Sequence, residues 1–206
     1  MPSPDSRPSR RIVLLTGPSG VGKTSLTRRL GLPVVALDDF YRDHDDPGLP
    51  RRFGIVDWDS AGSWNADAAA ASLRQLCNDG KADIPVYDIP TSRRTGIVHV
   101  DVGAARTIIA EGLFADEVIS RLSDSDCVAA AICLARPRIK TFTFRLLRDL
   151  SESRKSLTTL IRRGWALMRT EPQIVARYQS AGFISQTPQQ AYATIRALDA
   201  AAKASN

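Results

Sequence analysis

The sequence predicts a single α/β domain built around a parallel β-sheet. Within residues 11–30, a short apolar run is followed by a glycine-rich loop and then by a segment with helical periodicity. Three further apolar runs recur along the chain, at residues 33–37, 107–110 and 127–134. Short continuous apolar runs are typical of strands buried on both faces, and the helical segments between them favour a parallel strand order.

Length, composition and charge suit a globular protein that binds anions. The 206 residues, 43% of them apolar, are enough for one domain with a sizeable core. A net charge of +6 favours anionic ligands and leaves nucleic acid open as a partner. Residues 1–10 contain three prolines and three serines but no apolar signal-peptide core, so they predict a disordered tail. With no apolar run near the roughly 20 residues that cross a bilayer, we expect a cytoplasmic protein without membrane association.

The three cysteines predict neither a disulfide framework nor a zinc site. Cys77, Cys127 and Cys133 are odd in number and show no C-x-x-C spacing. Reduced thiols in an intracellular protein are the simplest interpretation.

The glycine-rich loop, residues 17–24, matches the phosphate-binding pattern G-x-x-x-x-G-K-[ST] at every fixed position. Such a loop surrounds a phosphate with backbone N–H groups and directs the N-terminus of the next helix at it. In this phosphate loop, Lys23 is expected to reach the β- and γ-phosphates and the Thr24 hydroxyl to bind Mg²⁺. The predicted nucleotide-binding residues are Gly17, Pro18, Ser19, Gly20, Val21, Gly22, Lys23, Thr24 and Ser25.

Acidic residues follow two of the predicted strands, at the sheet edge where α/β proteins bind ligands. Asp38 and Asp39 follow the run at residues 33–37. One aspartate is expected to accept a proton from an attacking hydroxyl and the other to cap a turn, and the residues leave open which does which. Glu111 follows the run at residues 107–110 and is predicted to hold the water shell of Mg²⁺, with a helix N-terminal charge as the alternative.

Residues 42–63 are rich in charged and turn-forming residues, which predicts a functional or mobile loop. Asp57 and Asp59 each carry a carboxylate that can accept two hydrogen bonds from a vicinal diol such as ribose. Trp58 and Trp64 offer flat rings nearby, but core packing is at least as good an explanation for each.

The middle of the chain predicts a helix and a small hairpin. Alanines and spaced leucines over residues 64–78 predict a helix capped by Ser63 or Asn65. An extended run at residues 84–90, a basic turn and the alternating run at residues 97–101 then predict two paired strands.

The region after residue 137 predicts further helices. Residues 138–155 place four cations, Arg138, Arg145, Arg148 and Lys155, in one stripe of a helix. That stripe suits phosphate clamping, although a solvated helix face is the alternative. Helices are also predicted over residues 156–170 and 172–181 and after residue 187.

A set of segments in this order and spacing resembles a known family. The segments are the phosphate loop, Leu37-Asp38-Asp39-Phe40-Tyr41, Trp58-Asp59 with Trp64 a few residues on, Pro85-Val86-Tyr87-Asp88, Ala110-Glu111-Gly112 and Arg145-Leu146-Leu147-Arg148-Asp149-Leu150-Ser151-Glu152. Together they resemble the uridine kinase branch of the P-loop nucleoside kinases, a group that neighbours phosphoribulokinase and bacterial pantothenate kinase. The resemblance implies a P-loop kinase fold, with a five-stranded parallel sheet between helices and a helical basic lid at about residues 138–155.

The resemblance also implies roles for individual residues. It makes Asp38 the catalytic base, and it makes Lys23, Arg145 and Arg148 the cations of phosphoryl transfer, with the two arginines in the lid. It places Glu111 in the Mg²⁺ shell together with Thr24. The implied substrate-binding residues are Asp38, Tyr41, Asp59, Trp64, Tyr87 and Arg94, with Asp59 on a diol and Tyr87 beside the base.

Two segments depart from the family pattern. Ile89 and Ser92 replace an aromatic residue and a histidine in the pyrimidine-reading stretch. Residues 153–155 read Ser-Arg-Lys where the family has arginine-glycine-arginine. Phosphoryl transfer is therefore better supported than uridine as its acceptor.

The sequence thus predicts a kinase that uses ATP and Mg²⁺ to phosphorylate a hydroxyl of a small molecule, with a uridine-like or cytidine-like nucleoside as the first expectation. One alternative keeps this chemistry but acts on a phosphosugar or a pantothenate-like alcohol. A second is a nucleotide-binding regulator or RNA-associated protein without transfer activity. We expect no membrane partner and no nucleic-acid partner, and a homo-oligomer is left open.

Overall fold

The computed structural model describes residues 8–136 and 175–204, and their strands and helices alternate along the chain. The strands are β1 (Arg11–Thr16), β2 (Val34–Ala36), β3 (Arg51–Arg52), β4 (Ile55–Val56), β5 (Lys81–Asp88), β6 (Arg93–Asp101), β7 (Thr107–Glu111), β8 (Val128–Leu134) and β9 (Ile184–Gln186). The helices are α1 (Lys23–Leu30), α2 (Ala66–Asp79), α3 (Ala115–Leu122) and α4 (Pro188–Ala204), and residues 175–180 are also helical.

Five strands form the central sheet, in the order β2-β7-β1-β8-β9. All the pairings in this sheet are parallel, with β1 between β7 and β8. The predicted α/β class and the five-stranded parallel sheet are confirmed. The periodicity did not predict β9, because three residues are too few to show a pattern and only the pairing with β8 defines this strand.

The two faces of β1 belong to two different cores. Ile12 and Leu14 pack into the cluster that contains α2 and α3, whereas Val13 and Leu15 pack into the cluster that contains α1 and α4. These four side chains are fully buried. A strand with helices on both sides needs an apolar side chain at every position, and this explains the continuous apolar run in the sequence.

Helix α2 begins later than predicted. It starts at Ala66, and the Asn65 side chain accepts a hydrogen bond from the Ala68 N–H at 3.1 Å. Asn65 therefore caps this helix, which was one of the two predicted caps. The helix ends at Asp79, and Gly80, with a positive φ of 74°, provides the left-handed C-cap.

The predicted hairpin is confirmed and is longer than expected. Strands β5 and β6 pair in antiparallel register from Lys81 opposite Asp101 to Asp88 opposite Arg93. β5 packs against α2, while most of β6 is exposed. The loop at residues 42–63 contains the short β3–β4 pair.

Several predictions fall on residues outside the described ranges. They are the first seven residues of the predicted tail, the basic helix and lid at residues 138–155 with Arg145 and Arg148, the helix at residues 156–170, and the first three residues of the helix predicted over 172–181. Within residues 8–136 and 175–204, all three cysteines are buried and free, and no helix has the length and apolar character needed to span a bilayer.

Trp64 was predicted as a substrate contact, and this prediction is wrong. Its side chain is only 2% exposed, and its ring packs against Phe114 at a centroid distance of 5.6 Å. The indole N–H donates a hydrogen bond to the Leu37 carbonyl at 2.6 Å. Because the ring is enclosed in the core beneath the turn that carries Asp38, it supports that turn and leaves no face for a ligand.

We expect Trp64→Phe to lower the free energy of unfolding by about 2 kcal/mol, because the Leu37 carbonyl then remains buried without its donor. Chemical denaturation of the two proteins measures this difference. Trp58→Phe is the matched control, since Trp58 is only partly buried, and it is expected to cost less. Equal losses in the two variants would contradict the role given to the indole N–H.

Candidate phosphate-binding and catalytic site

The phosphate loop connects β1 to α1 and has glycine at three positions with a positive φ. Gly17, Gly20 and Gly22 have φ angles of 138°, 81° and 106°. A Cβ on Gly17 would lie 2.6 Å from the carbonyl oxygen of Leu134 in β8. A larger residue at Gly17 would therefore be strained by the positive φ and would also clash with the Leu134 carbonyl.

The phosphate loop is held in place by its own side chains and backbone. Lys23 Nζ donates a hydrogen bond to the Gly17 carbonyl at 2.8 Å. Val21 is fully buried in the core on the α1 side, and its N–H contacts the Pro18 carbonyl at 3.2 Å. The loop thus presents its polar backbone to the cleft while one apolar side chain anchors it from behind.

A cleft of about 670 Å³ lies over the phosphate loop. Four residues predicted from separate parts of the chain line it together, namely Lys23, Thr24, Asp38 and Glu111. The remaining lining residues are Gly17, Ser19, Gly20, Gly22, Ser25, Gly112, Leu113 and Arg136. The parallel sheet explains this assembly, because the carboxyl ends of β1, β2 and β7 meet at one edge.

The two adjacent aspartates have different surroundings. Asp39 accepts a hydrogen bond from the Tyr87 N–H at 3.1 Å and so joins the turn to β5. Asp38 instead lines the cleft, and the Leu113 backbone N–H lies beside its carboxylate. Asp39 therefore has a structural contact, while Asp38 has an open face toward the cleft.

Protein around the cleft raises the pKa of both lining carboxylates. Burial raises the pKa of Asp38, even though one side of its carboxylate faces the open cleft. The Leu113 N–H and the Lys23 ammonium oppose this rise. Burial likewise raises the pKa of Glu111, with Lys23 opposing it and Asp38 adding to it. Two acidic groups and one ammonium thus share the cleft, which makes the proton affinity of each depend on the others.

The residues present fit a nucleotide triphosphate with Mg²⁺. The glycine backbone provides an anion cradle, and the Thr24 hydroxyl and the two carboxylates are the hard oxygen ligands that Mg²⁺ prefers. In the described part of the chain, no group of three or more His, Cys, Asp and Glu side chains could hold a metal ion alone. Mg²⁺ bound by one or two protein oxygens commonly completes its coordination with phosphate and water.

Gly112 allows β7 to approach the turn that carries Asp38. A Cβ at this position would lie 2.5 Å from the Leu37 Cβ and 3.2 Å from Asp38 Oδ1. The Gly112 N–H also donates to the Leu15 carbonyl at 3.2 Å, at the end of β1. The glycine of the Ala110-Glu111-Gly112 segment is thus required by the close packing of three strand ends.

The other predicted substrate residues form a separate group beside the cleft. The Tyr41 ring contacts Tyr87 at 5.7 Å between centroids. Burial raises the pKa of Tyr41, and the carboxylates of Asp38 and the exposed Asp59 add to this rise. The Tyr87 hydroxyl donates to a backbone carbonyl at 3.2 Å. Arg94 pairs with Asp43 at 3.4 Å and, with Tyr41, lines a small pocket of about 130 Å³.

Sequence reasoning missed three contributors to the cleft. Arg136 follows β8, and its guanidinium lies 3.3 Å from the place of a Cβ on Gly22. The basic character of the following segment, at residues 138–155, was the only signal near it. Leu113 contributes its backbone N–H, and Tyr178 contacts the carbonyl of Leu113 at 2.6 Å. No sequence pattern marks either contact, because both are made by groups far apart along the chain.

Comparison with curated proteins links the chain to two uridine kinases. It is 22% identical to the uridine kinase of Chlamydia pneumoniae over 164 residues, which are 77% of this chain and 72% of that enzyme. It is 28% identical to the uridine kinase of Saccharomyces cerevisiae over 152 residues, which are 68% of this chain and 29% of that enzyme. These two similarities support the resemblance to the uridine kinase-like P-loop kinases that the sequence motifs indicate. No family model matches the chain.

A third relative and one solved structure extend the comparison. The chain is 32% identical to the inorganic pyrophosphatase TTM2 of Arabidopsis thaliana over 108 residues, which are 50% of this chain but 15% of that protein. Its fold is similar to that of a protein from Silicibacter sp. TM1040 provisionally described as a fructose transport system kinase. That similarity has a TM-score of 0.59 at 21% identity and covers 84% of this chain and 88% of the other.

We expect Gly112→Ala to destabilise the protein by about 1–3 kcal/mol, because the new methyl group overlaps the turn that carries Asp38. Thermal and chemical unfolding measure the change. Gly96→Ala is the matched control, since a Cβ on Gly96 meets nothing within 4 Å. If Gly112→Ala were as stable as Gly96→Ala, the close approach would not be a constraint on the fold.

Proposed function

We propose that the protein is a Mg²⁺-dependent kinase that transfers the γ-phosphoryl group of ATP to a hydroxyl of a small acceptor, with a nucleoside as the first candidate. One observation carries the proposal, namely that Lys23, Thr24, Asp38 and Glu111 line the same cleft. A phosphate loop alone supports nucleotide binding. A carboxylate facing the same cleft adds a group that can activate a hydroxyl.

The donor half of the site is formed by the phosphate loop. Its backbone N–H groups surround the phosphates, and Lys23 exchanges its contact with the Gly17 carbonyl for the β- and γ-phosphates. Thr24 and Glu111 would hold Mg²⁺ and its water. When bound, Mg²⁺ neutralises charge on the β- and γ-phosphate oxygens.

The acceptor half is centred on Asp38. Its carboxylate accepts the proton of the acceptor hydroxyl as the acceptor oxygen bonds to the γ-phosphorus, and the bond from that phosphorus to ADP breaks. The Leu113 N–H and Lys23 favour the ionised form of Asp38, which is the form that can accept a proton. Arg145 and Arg148 are proposed to neutralise charge on the transferred group, and Arg136 lines the cleft beside them in sequence.

The charges beside the cleft favour a neutral acceptor over a phosphosugar. Three arginines in this region are each paired with an aspartate. The pairs are Arg42 with Asp46 at 3.5 Å, Arg93 with Asp45 at 2.9 Å and Arg94 with Asp43 at 3.4 Å. Each exposed pair contributes little to stability, but it leaves less positive charge for an anionic acceptor. A ribose diol on Asp59, with Tyr41 and Tyr87 beside the base, is the proposed arrangement for a nucleoside.

The turn between β5 and β6 favours one second candidate, a neutral acceptor other than a pyrimidine nucleoside. Ile89 is 67% exposed, and the Ser92 hydroxyl donates to the Ile89 carbonyl at 3.3 Å. Neither side chain supplies the stacking ring or the imidazole of the pyrimidine-reading stretch. A neutral sugar would need neither group.

Two substitutions separate chemistry from nucleotide binding. Asp38→Asn is expected to lower the transfer rate by at least about 100-fold while leaving ATP affinity within a few-fold, because it removes only the base. Lys23→Ala is expected to weaken ATP binding and transfer together, because the cation that meets the phosphates is lost. Calorimetric titration with ATP and measurement of ADP release test both variants. Normal turnover in Asp38→Asn would remove Asp38 from the mechanism, and unchanged ATP affinity in Lys23→Ala would contradict the phosphate-loop assignment.

A panel of acceptors identifies the second substrate. ADP release is measured with uridine, cytidine, adenosine, fructose, pantothenate and ribulose 5-phosphate, and with Asp38→Asn as the background control. We expect a neutral acceptor to be turned over at least about tenfold faster than the phosphosugar, in line with the paired arginines. A preference for ribulose 5-phosphate would contradict the neutral acceptor. Absence of ADP release with every acceptor, together with tight RNA binding that resists salt, would favour the nucleotide-binding regulator.

A further inference from the structure

Tyr178 is a fully enclosed tyrosine close to the catalytic cleft. It lies in the helical residues 175–180, is 1% exposed and packs against Phe183 at a centroid distance of 5.6 Å. Its hydroxyl donates a hydrogen bond to the Leu113 carbonyl at 2.6 Å. Burial raises the pKa of Tyr178 to about 12, so the phenol remains protonated and acts as a donor across the range in which proteins function.

Leu113, which accepts the hydrogen bond of the Tyr178 hydroxyl, also lies beside Asp38. Leu113 accepts the Tyr178 hydrogen bond through its carbonyl, and its N–H lies beside the Asp38 carboxylate and favours the ionised form of that group. Leu113 also lines the cleft, directly after Glu111 and Gly112. A hydrogen bond to one peptide group of a residue restricts the orientation of the other, because only two backbone torsions separate them.

We propose that Tyr178 is a positioning residue, whose hydroxyl orients the Leu113 backbone and thereby the carboxylate of Asp38 for phosphoryl transfer. This inference rests on the proposed function in taking Asp38 as the base. It goes further in giving a catalytic task to a side chain 65 residues away from Leu113 in sequence. The Thr16 side chain also lies beside the Tyr178 hydroxyl, at the end of β1 and next to the phosphate loop.

The hydroxyl can be removed without releasing the helical residues that carry it. Arg177 forms ion pairs with Asp116 and Glu117 at the start of α3. The Tyr178 ring keeps its contact with Phe183 when the hydroxyl is absent. Tyr178→Phe therefore deletes one donor, while the neighbouring ion pairs and the packed ring remain.

The experiment compares Tyr178→Phe with two control variants in the full chain. Tyr192→Phe removes the hydroxyl of an α4 tyrosine that contacts Arg196 on the surface of the protein. Phe183→Leu weakens the packing around Tyr178 but keeps its hydroxyl. For each variant we measure kcat, the KM for ATP, thermal unfolding and, in the ligand-free protein, the amide chemical shift and hydrogen exchange of Leu113.

We expect Tyr178→Phe to lower kcat by about tenfold, the equivalent of one buried hydrogen bond, with the KM for ATP changed less than twofold. The Leu113 amide should shift and exchange faster. Tyr192→Phe should match the wild type, and Phe183→Leu should lose thermal stability with little loss of kcat at a temperature where it is folded. This split between kcat and KM distinguishes positioning from a general loss of structure.

Two results would overturn the inference. An unchanged kcat in Tyr178→Phe would show that the hydroxyl has no part in catalysis. An equal fall of kcat in the folded Phe183→Leu protein would show that packing, rather than the hydroxyl, is responsible. The Leu113 amide is read without substrate, so it reports the coupling even if Asp38→Asn keeps its activity and the proposed function fails.

Discussion

The close approach of Gly112 to Leu37 is the constraint on which the rest of the site depends. The absence of a Cβ on Gly112 lets the end of β7 pack directly against the turn after β2. That contact brings Glu111, Asp38 and the end of β1 to one edge of the sheet, where the phosphate loop begins. A side chain at this position would separate the carboxylates from the loop, so the geometry of the whole cleft follows from one missing methyl group.

Two buried aromatic side chains in the hydrophobic core support the backbone that lines the site. Trp64 holds the Leu37 carbonyl, and Tyr178 holds the Leu113 carbonyl. Both are large buried aromatic side chains whose polar group has found a backbone acceptor, which is the usual arrangement for such residues in a core. Leu37 directly precedes Asp38 in the chain, and the Leu113 N–H lies beside the Asp38 carboxylate. The hydrophobic core and the polar cleft are therefore connected by specific hydrogen bonds rather than by packing alone.

The charged groups in the cleft are less favourably placed in the free protein than they would be with a nucleotide and a divalent cation bound. Asp38 and Glu111 both lose hydration, and Lys23 is the cation that lowers the pKa of each. Phosphates would attract Lys23, and a divalent cation would then balance the carboxylates. An assembly of this kind is expected to favour binding of nucleotide and cation together, because each removes a repulsion that the other would meet.

The sequence by itself determined the central strands, the phosphate loop and the hairpin. Their signals are local, because a strand buried on both faces needs a continuous apolar run and a phosphate cradle needs glycines at fixed spacing. The sequence alone did not decide which of Asp38 and Asp39 is the base and which caps a turn. The resemblance favoured Asp38, and the tertiary structure then gave them different surroundings, since Asp39 meets the Tyr87 N–H and Asp38 meets the cleft.

Only the tertiary structure decided the position of Trp64, the strand β9 and the contact between Tyr178 and Leu113. A tryptophan in the sequence is consistent both with stacking on a ligand and with core packing. The 2% exposure of Trp64 results from residues that are far away in sequence. Three residues of β9 become a strand only by pairing with β8. Tyr178 and Leu113 are joined across 65 residues of chain. Such features depend on contacts between remote segments, and no local pattern of residues records them.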